Sequence, residues 1–255
     1  MPVLCKYPGE QVIDPTTETL DELTRNDMKI IQAREGYRFS MDAVLLAHFA
    51  EVRRDDQVLD LGCGSGIISI LVACREPSAH ITGLEIQPDL ADRARRSVQL
   101  NGLLSRVEIV HGDLRRMGQA FGPRRFNLVV ANPPFWRQGE GKPNPNQEKL
   151  IARHEVYSTL ADYVAAADQC LTRGGRLAMV HRTARAMEMN VLLHEYGFGV
   201  TRLRFIHSHM DQRANLFLVE AVKGSKSGVI ILPPLIVYGA DGKYSEEINR
   251  IYFED

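Results

Sequence analysis

Asp60-Leu61-Gly62-Cys63-Gly64-Ser65-Gly66 joins two apolar runs, Gln57-Val58-Leu59-Asp60-Leu61 before it and Ile67 to Ala73 after it. The first run reads as a buried strand and the second as an apolar helix. Three glycines at this spacing let the backbone turn sharply and approach a ligand closely. The helix that follows offers free N–H groups and a partial positive charge. The spacing is GxGxG, not the GxGxxG of the dinucleotide fingerprint, and no Lys-Ser/Thr pair marks a P-loop. Read alone, the loop is equally a tight strand-to-helix turn, so its neighbours must decide.

Downstream, strands and helices alternate. His80 to Glu85 reads as a second strand, Pro88 opens a helix that Asn101-Gly102 ends, Val107 to Val110 is a third strand and Phe126 to Ala131 a fourth. A helix from about Thr159 to Cys170 leads through Gly174-Gly175 to a fifth strand, Arg176 to Val180, and a helix spans Ala184 to Glu195. Val200 to Ile206 and Asn215 to Val222 then follow with no helix between them, as antiparallel strands do. The expected fold is α/β: a Rossmann-like, doubly wound, mostly parallel sheet of seven strands with a terminal antiparallel pair. Residues 1–54 read as an N-terminal extension with a capping helix, 55–223 as the core and 224–255 as a hairpin extension turning at Asp241-Gly242. Phe39 to Ala47 reads as a turn into an amphipathic helix, and the polar stretch Gln138 to Lys149 as a long functional loop.

The composition fits one soluble domain: 255 residues, 44% hydrophobic and 25% charged. A net charge of −1 excludes a histone-like polycation but not a local basic face. The four cysteines form no CxxC pair, so neither a disulfide framework nor a zinc site is expected. The N-terminus has no apolar signal segment, and no run approaches the roughly 20 residues of a membrane span. A cytoplasmic protein with no metal is expected.

Acids at successive strand ends give the glycine loop its context. Glu85 ends the second strand, where a carboxylate accepts from two ribose hydroxyls. Asp113 follows the third strand and can accept from an adenine amino group; as alternatives, Glu85 is a helix-entry carboxylate and Asp113 a turn residue. After the fourth strand stands Asn132-Pro133-Pro134-Phe135. Two prolines cannot continue a ladder and fix the direction of their carbonyls. The Asn132 side-chain oxygen and the Pro133 carbonyl can accept from one planar –NH₂ group, and Phe135 can stack on a flat ring. Such acceptors stabilise positive charge on an amine as it is alkylated. In isolation the motif is only a rigid turn.

Together these residues resemble the class I S-adenosylmethionine (SAM)-dependent methyltransferases over about residues 55–222. The resemblance implies that Asp60 and the backbone of Gly62, Cys63, Gly64 and Gly66 lie against the methionine part of SAM. It implies that Glu85 and Ile86 lie at the ribose, and Asp113 and Leu114 at the adenine, with Asn132 touching both cofactor and substrate. Asn132, Pro133 and Phe135 are the expected catalytic residues. Asp42 either faces the SAM amino group or caps the helix after it. NPPF resembles the amino-methyltransferases of adenine N6, guanine N2, cytosine N4 or a glutamine amide.

Arg38-Phe39-Ser40-Met41-Asp42-Ala43-Val44, Gly141-Lys142-Pro143-Asn144-Pro145-Asn146, Ile151-Ala152-Arg153-His154-Glu155 and Pro233-Pro234-Leu235-Ile236-Val237-Tyr238 are similar to the bacterial tRNA1(Val) adenine-N6 methyltransferase family. That resemblance covers nearly the whole chain and implies adenine 37 of a tRNA anticodon loop as the substrate. The alternatives are an rRNA guanine-N2 methyltransferase, a release-factor glutamine methyltransferase, and a catalytically silent RNA- or SAM-binding module. Residues 124–213 carry 13 Lys and Arg against 8 Asp and Glu, so the basic excess lies in the half bearing NPPF. Arg137, Lys142, Lys149, Arg153, His154 and Arg182 are the expected RNA contacts; Arg173, Arg176 and Arg185 bracket the fifth strand with Arg182. Trp136 either contacts substrate or packs under the loop.

Overall fold

The computed structural model describes residues 13–23, 28–117, 121–123, 125–140 and 146–253. Its centre is a sheet built from β3 (Gln57–Leu61), β4 (His80–Glu85), β5 (Val107–His111), β6 (Phe126–Ala131), β7 (Leu171–Arg182), β8 (Phe198–His207) and β9 (Ala214–Lys223). Their spatial order is β5-β4-β3-β6-β7-β9-β8. The first five run parallel, and β9 joins β7 and β8 antiparallel. These seven strands and their terminal antiparallel pair are as expected, and two short strands beside β8, given below, bring the sheet to nine. Chain order reverses beside β3, which is flanked by β4 and β6, so a crevice opens there at the carboxyl ends of the strands.

Local chemistry explains the crossovers. Pro88 starts α3 (Pro88–Leu100) at a position where its missing N–H costs nothing. The helix between β6 and β7, here α5 (Leu160–Cys170), opens with a reciprocal cap in which Thr159 and Asp162 bond each other's backbone N–H. α2 (Ile67–Arg75) and α6 (Ala186–Glu195) complete the crossovers. Two buried clusters result, one on each face of the sheet.

Four details refine or correct the expectations. First, α1 (Met41–Phe49) is not amphipathic. Ala43, Val44, Leu45, Leu46, Ala47 and Phe49 are all buried, because α2, β7 and a C-terminal helix, α7 (Glu246–Phe253), all pack against it. Second, the N-terminal extension holds a hairpin, β1 (Glu18–Glu22) paired antiparallel with β2 (Lys29–Ala33). It packs on α3, where Ile31 N–H donates to Ser97 Oγ at 2.9 Å. Third, the C-terminal hairpin is short: Tyr238 and Tyr244 form an antiparallel bridge, flanked by Gly239 N–H donating to the Lys243 carbonyl and Ser245 N–H to the Val237 carbonyl, both at 2.9 Å. The apolar run before it forms β10 (Ile230–Ile231) and β11 (Leu235–Ile236), both parallel to β8, and α7 follows the turn. Fourth, the loop after Gln138 ends earlier than expected. Asn146 accepts from Lys149 N–H and caps α4 (Gln147–Arg153), so Lys149 is helical.

Candidate active site

Register places the motif residues on one edge. Leu61 lies opposite both Leu84 and Ala131, and Glu85 lies opposite His111, so Gly62, Glu85, Asp113 and Asn132 leave the sheet side by side. Gly62 has φ +70, and a Cβ there would stand 2.7 Å from the Tyr163 hydroxyl, so only glycine allows that close approach. Gly66 has φ +87 and precedes α2; a Cβ there would press on Ala94 at 3.2 Å.

Two neighbouring cavities flank Asn132. The first is lined by Gly62, Gly64, Glu85, Ile86, Asp113, Leu114 and Asn132 from the expected set. Tyr37, Ile151, Ala152, His154, Tyr157, Ser158 and Tyr163 complete its walls. The second is lined by Tyr37, Arg38, Ser40, Asp42, Asn132, Pro133, Phe135, Trp136, Ala152 and Arg153. Tyr37, Asn132 and Ala152 belong to both.

Glu85 is buried, and each of its oxygens accepts one backbone N–H, from Gly64 and from Gln87, both at 2.9 Å. Each oxygen keeps a lone pair for a hydroxyl. Burial pushes this carboxyl up, and the three backbone N–H groups around it hold it down in part. Asp113 is gripped by Arg115, at 2.6 Å from Nη2, which holds its carboxyl below the usual range. Burial pushes the phenols of Tyr37 and Tyr163 up, so both stay protonated. His154 Nε2 lies 3.0 Å from the Glu140 carbonyl, which only accepts, so Nε2 carries the proton. Its Nδ1 is then a buried acceptor with no partner among the described residues. The constellation offers acceptors for hydroxyls and amines in the first cavity and an amide oxygen with a proline carbonyl at its border with the second.

Not every expected residue reaches a cavity. Asp60 lies fully buried beneath the loop; its carboxylate accepts from Ser69 N–H at 3.1 Å and from the Ser69 hydroxyl at 2.7 Å. Burial pushes it up to about 7. Cys63 and Gly66 shape the loop from below. Asp42 lines the second cavity and not the first, with the Ser40 hydroxyl donating to it at 2.9 Å; it caps no helix N–H.

The basic set divides. Arg153 is exposed and borders the second cavity, and Arg182 lies 3.9 Å over the Trp136 ring. Lys149 is half-buried on α4. Arg137 is exposed but paired with Glu188 at 2.7 Å. His154, at 6% exposure, is too buried for the RNA contact expected of it. Lys142 lies outside the described residues. Arg176 is a buried ion pair with Asp56, and Arg185 is buried against Glu155 at 2.6 Å, so neither is free for phosphate. Much of the basic excess read from composition is thus spent inside the fold.

The wall residues missed in sequence come mainly from the segments around Tyr37 and from Ile151 to Tyr163. Of these, Arg38 to Val44 and Ile151 to Glu155 carried a signal, the family resemblance, and it did not say which cavity they serve.

The family model of the methyltransferase small domain matches residues 40–203. The tRNA1(Val) (adenine(37)-N6)-methyltransferase of Porphyromonas gingivalis is 28% identical over 222 residues, which cover 84% of this chain and 86% of that one. The protein of the same name from Haemophilus influenzae is 25% identical over 230 residues, 89% and 94% of the two chains. Among solved structures, a predicted O-methyltransferase from Agrobacterium tumefaciens superposes with TM-score 0.68 at 25% identity, covering 83% of this chain and 95% of that one. A 16S rRNA N2 methyltransferase from Thermus thermophilus, crystallised with AdoMet and guanosine, gives TM-score 0.56 at 20% identity, covering 81% and 50%.

Proposed function

The chain belongs to the methyltransferase small domain family, and from that footing we propose that it transfers a methyl group to the exocyclic N6 amine of an adenine in tRNA, at anticodon-loop position 37. Methyl transfer with SAM as cofactor is the family's activity; adenine N6 in tRNA is the substrate we infer. The observation that carries the reading is Asn132 standing in the wall of both cavities, beside Pro133 and Phe135 on the second side. The relatives named for adenine-37 methylation, matched over most of both chains, support the choice of substrate.

The first cavity fits SAM. Glu85 has lone pairs for the ribose hydroxyls, Asp113 lines the wall on the adenine side with its carboxylate held by Arg115, and Ile86 and Leu114 are apolar neighbours for the ring. The glycine backbone at Gly62 and Gly64 leaves room for the methionine part, and His154 Nδ1 has no donor among the described residues, one that a ligand can supply. When bound, SAM supplies a methyl group activated by its sulfonium. In the second cavity Asn132 and the Pro133 carbonyl accept the two amine hydrogens, which turns the nitrogen lone pair out of conjugation and supports the charge that develops. Phe135 offers its ring to the base. The amine proton leaves to solvent. A base in an anticodon loop is extruded at less cost than one in a duplex.

The test is incubation with tritiated SAM and separate tRNA, rRNA and protein fractions, followed by digestion to nucleosides and amino acids. Label in N6-methyladenosine from tRNA is expected. Label in guanosine or in a glutamine amide would replace the substrate, and no label in any fraction would defeat catalysis.

A further inference from the structure

Trp136 is the only tryptophan in the chain, and both its backbone and its ring have defined partners. Its backbone is fixed on both sides: Trp136 N–H donates to the Arg153 carbonyl at 3.0 Å, and Glu155 N–H donates to the Trp136 carbonyl at 2.8 Å. This makes a short parallel bridge to His154. The Arg182 guanidinium lies 3.9 Å from the indole centroid and forms no ion pair with any described residue, so its cation is committed to the ring. Arg182 in turn ends β7 and donates its backbone N–H to His181 Nδ1 at 2.8 Å, which ties the stack to the sheet.

The indole lines the second cavity, with Arg153, which likewise lacks an ion pair among the described residues, beside it. The two rings have different neighbours: Phe135 lies beside His181, 5.3 Å between centroids, and Trp136 lies against the Arg182 guanidinium, while both residues line the second cavity. With one flat ring lying on Phe135, the indole offers a second aromatic surface in the same cavity.

We propose that Trp136 is a stacking wall for the nucleobase next to the target, with Arg182 holding the indole in place from behind. This rests on the reading of an RNA substrate. Stacking on an aromatic side chain needs only the π-face that every base has, so the wall favours single-stranded nucleotides without reading their identity. A ring fixed by its backbone and by a cation loses little freedom when a base settles on it. Arg153 beside it is free to meet the phosphate that links the two nucleotides.

The single indole provides the readout. Saturating the wild-type protein with tRNA should quench its tryptophan fluorescence, whereas saturating it with SAM alone should not. Trp136→Leu should raise the KM for tRNA on the order of tenfold or more, while Trp136→Phe keeps it near wild type. SAM affinity by calorimetry should be unchanged in both, which controls for folding. Arg182→Met should raise KM in the same direction by less. Unchanged fluorescence at saturating tRNA, or an unchanged KM in Trp136→Leu, would overturn the stacking role while leaving tRNA as the substrate. Wild-type protein that methylates no tRNA would overturn the substrate reading and this role with it.

Discussion

Glu148 and Tyr37, 111 residues apart, are joined by a hydrogen bond of 2.6 Å from the Tyr37 backbone N–H to the Glu148 carboxylate, whose other oxygen pairs with Arg93 at 2.9 Å. Gly36 makes this possible, since a Cβ there would stand 2.2 Å from the Glu148 oxygen. The hydrogen bond fixes α4 to the segment before α1 and both to α3, so the walls of the two cavities that come from distant sequence are held as one unit. Glu148→Ala should weaken SAM binding on the order of tenfold, since hydrogen bonds to a charged group are worth about 1.5–3 kcal/mol. Calorimetry reads this directly, and an unchanged Kd would show that the clasp does not shape the cavity.

Asn132→Ala removes the amide acceptor at the border of the cavities. Turnover should fall about 10²-fold or more, by analogy with loss of one preorganised hydrogen-bonding group at a developing charge. The SAM Kd should stay close to wild type. Turnover equal to wild type would take Asn132 out of the chemistry.

Glu85→Ala should act on the opposite substrate. It removes the acceptor proposed for the ribose hydroxyls and frees the Gly64 and Gln87 N–H groups that its carboxylate orders. The expected result is a SAM Kd raised at least tenfold, as for loss of a charged hydrogen-bonding partner. Equal affinity in the two proteins would refute the ribose role.

Arg153→Glu should lower tRNA affinity and flatten its salt dependence, because a cation withdrawn from one phosphate reduces the slope of log K on log[salt] by roughly one. SAM binding should not change. Identical slopes for variant and wild type would place Arg153 off the RNA path.

Two buried groups make opposite demands on pH. Burial, with Arg185 nearby, pushes His181 down to about 4 from 6.5, so the unfolded chain binds its proton first and stability contributed by the neutral ring is lost as pH falls from 6.5 toward 4. Asp60, pushed up by burial from 3.8 to about 7, does the reverse: the folded chain holds the proton, and stability is lost as pH rises from about 4 toward 7. The two slopes oppose each other across the shared window. Melting temperatures measured from pH 4.5 to 7 should therefore show His181→Gln gaining on the wild type as the medium is acidified, and Asp60→Asn losing on it. Parallel curves for all three proteins would remove both assignments.

The parallel core and its carboxyl-edge acids were legible because each rests on a few consecutive residues, a strand followed by the residue that leaves it. Asn132 follows β6 directly, and Glu85 ends β4, so reading the strands located both. The hairpin β1–β2 left only a short apolar alternation at Met28 to Ile31, too brief to mark a strand pair, and Ile30 and Ile31 are both fully buried, one on each face. The same all-round burial removed the stripe from α1. α7 did leave a signal: Ser245 before Glu246-Glu247, with Ile248 and Ile251 three apart, and Ser245 Oγ accepts Ile248 N–H at 3.3 Å. Tyr163 was invisible because its role is set by a helix far along the chain. Arg176 looked basic and available, and only the fold brings Asp56, 120 residues away, against it.

The wall between the cavities is thin enough that Tyr37, Asn132 and Ala152 serve both sides. A single molecule joining an adenosyl amino acid to a purine nucleotide through its exocyclic nitrogen would cross that partition at Asn132. Its second half would then meet its site at the millimolar effective concentration of a short tether instead of the concentration of free ligand. Such a compound would be an inhibitor selective for enzymes whose two chambers share this partition.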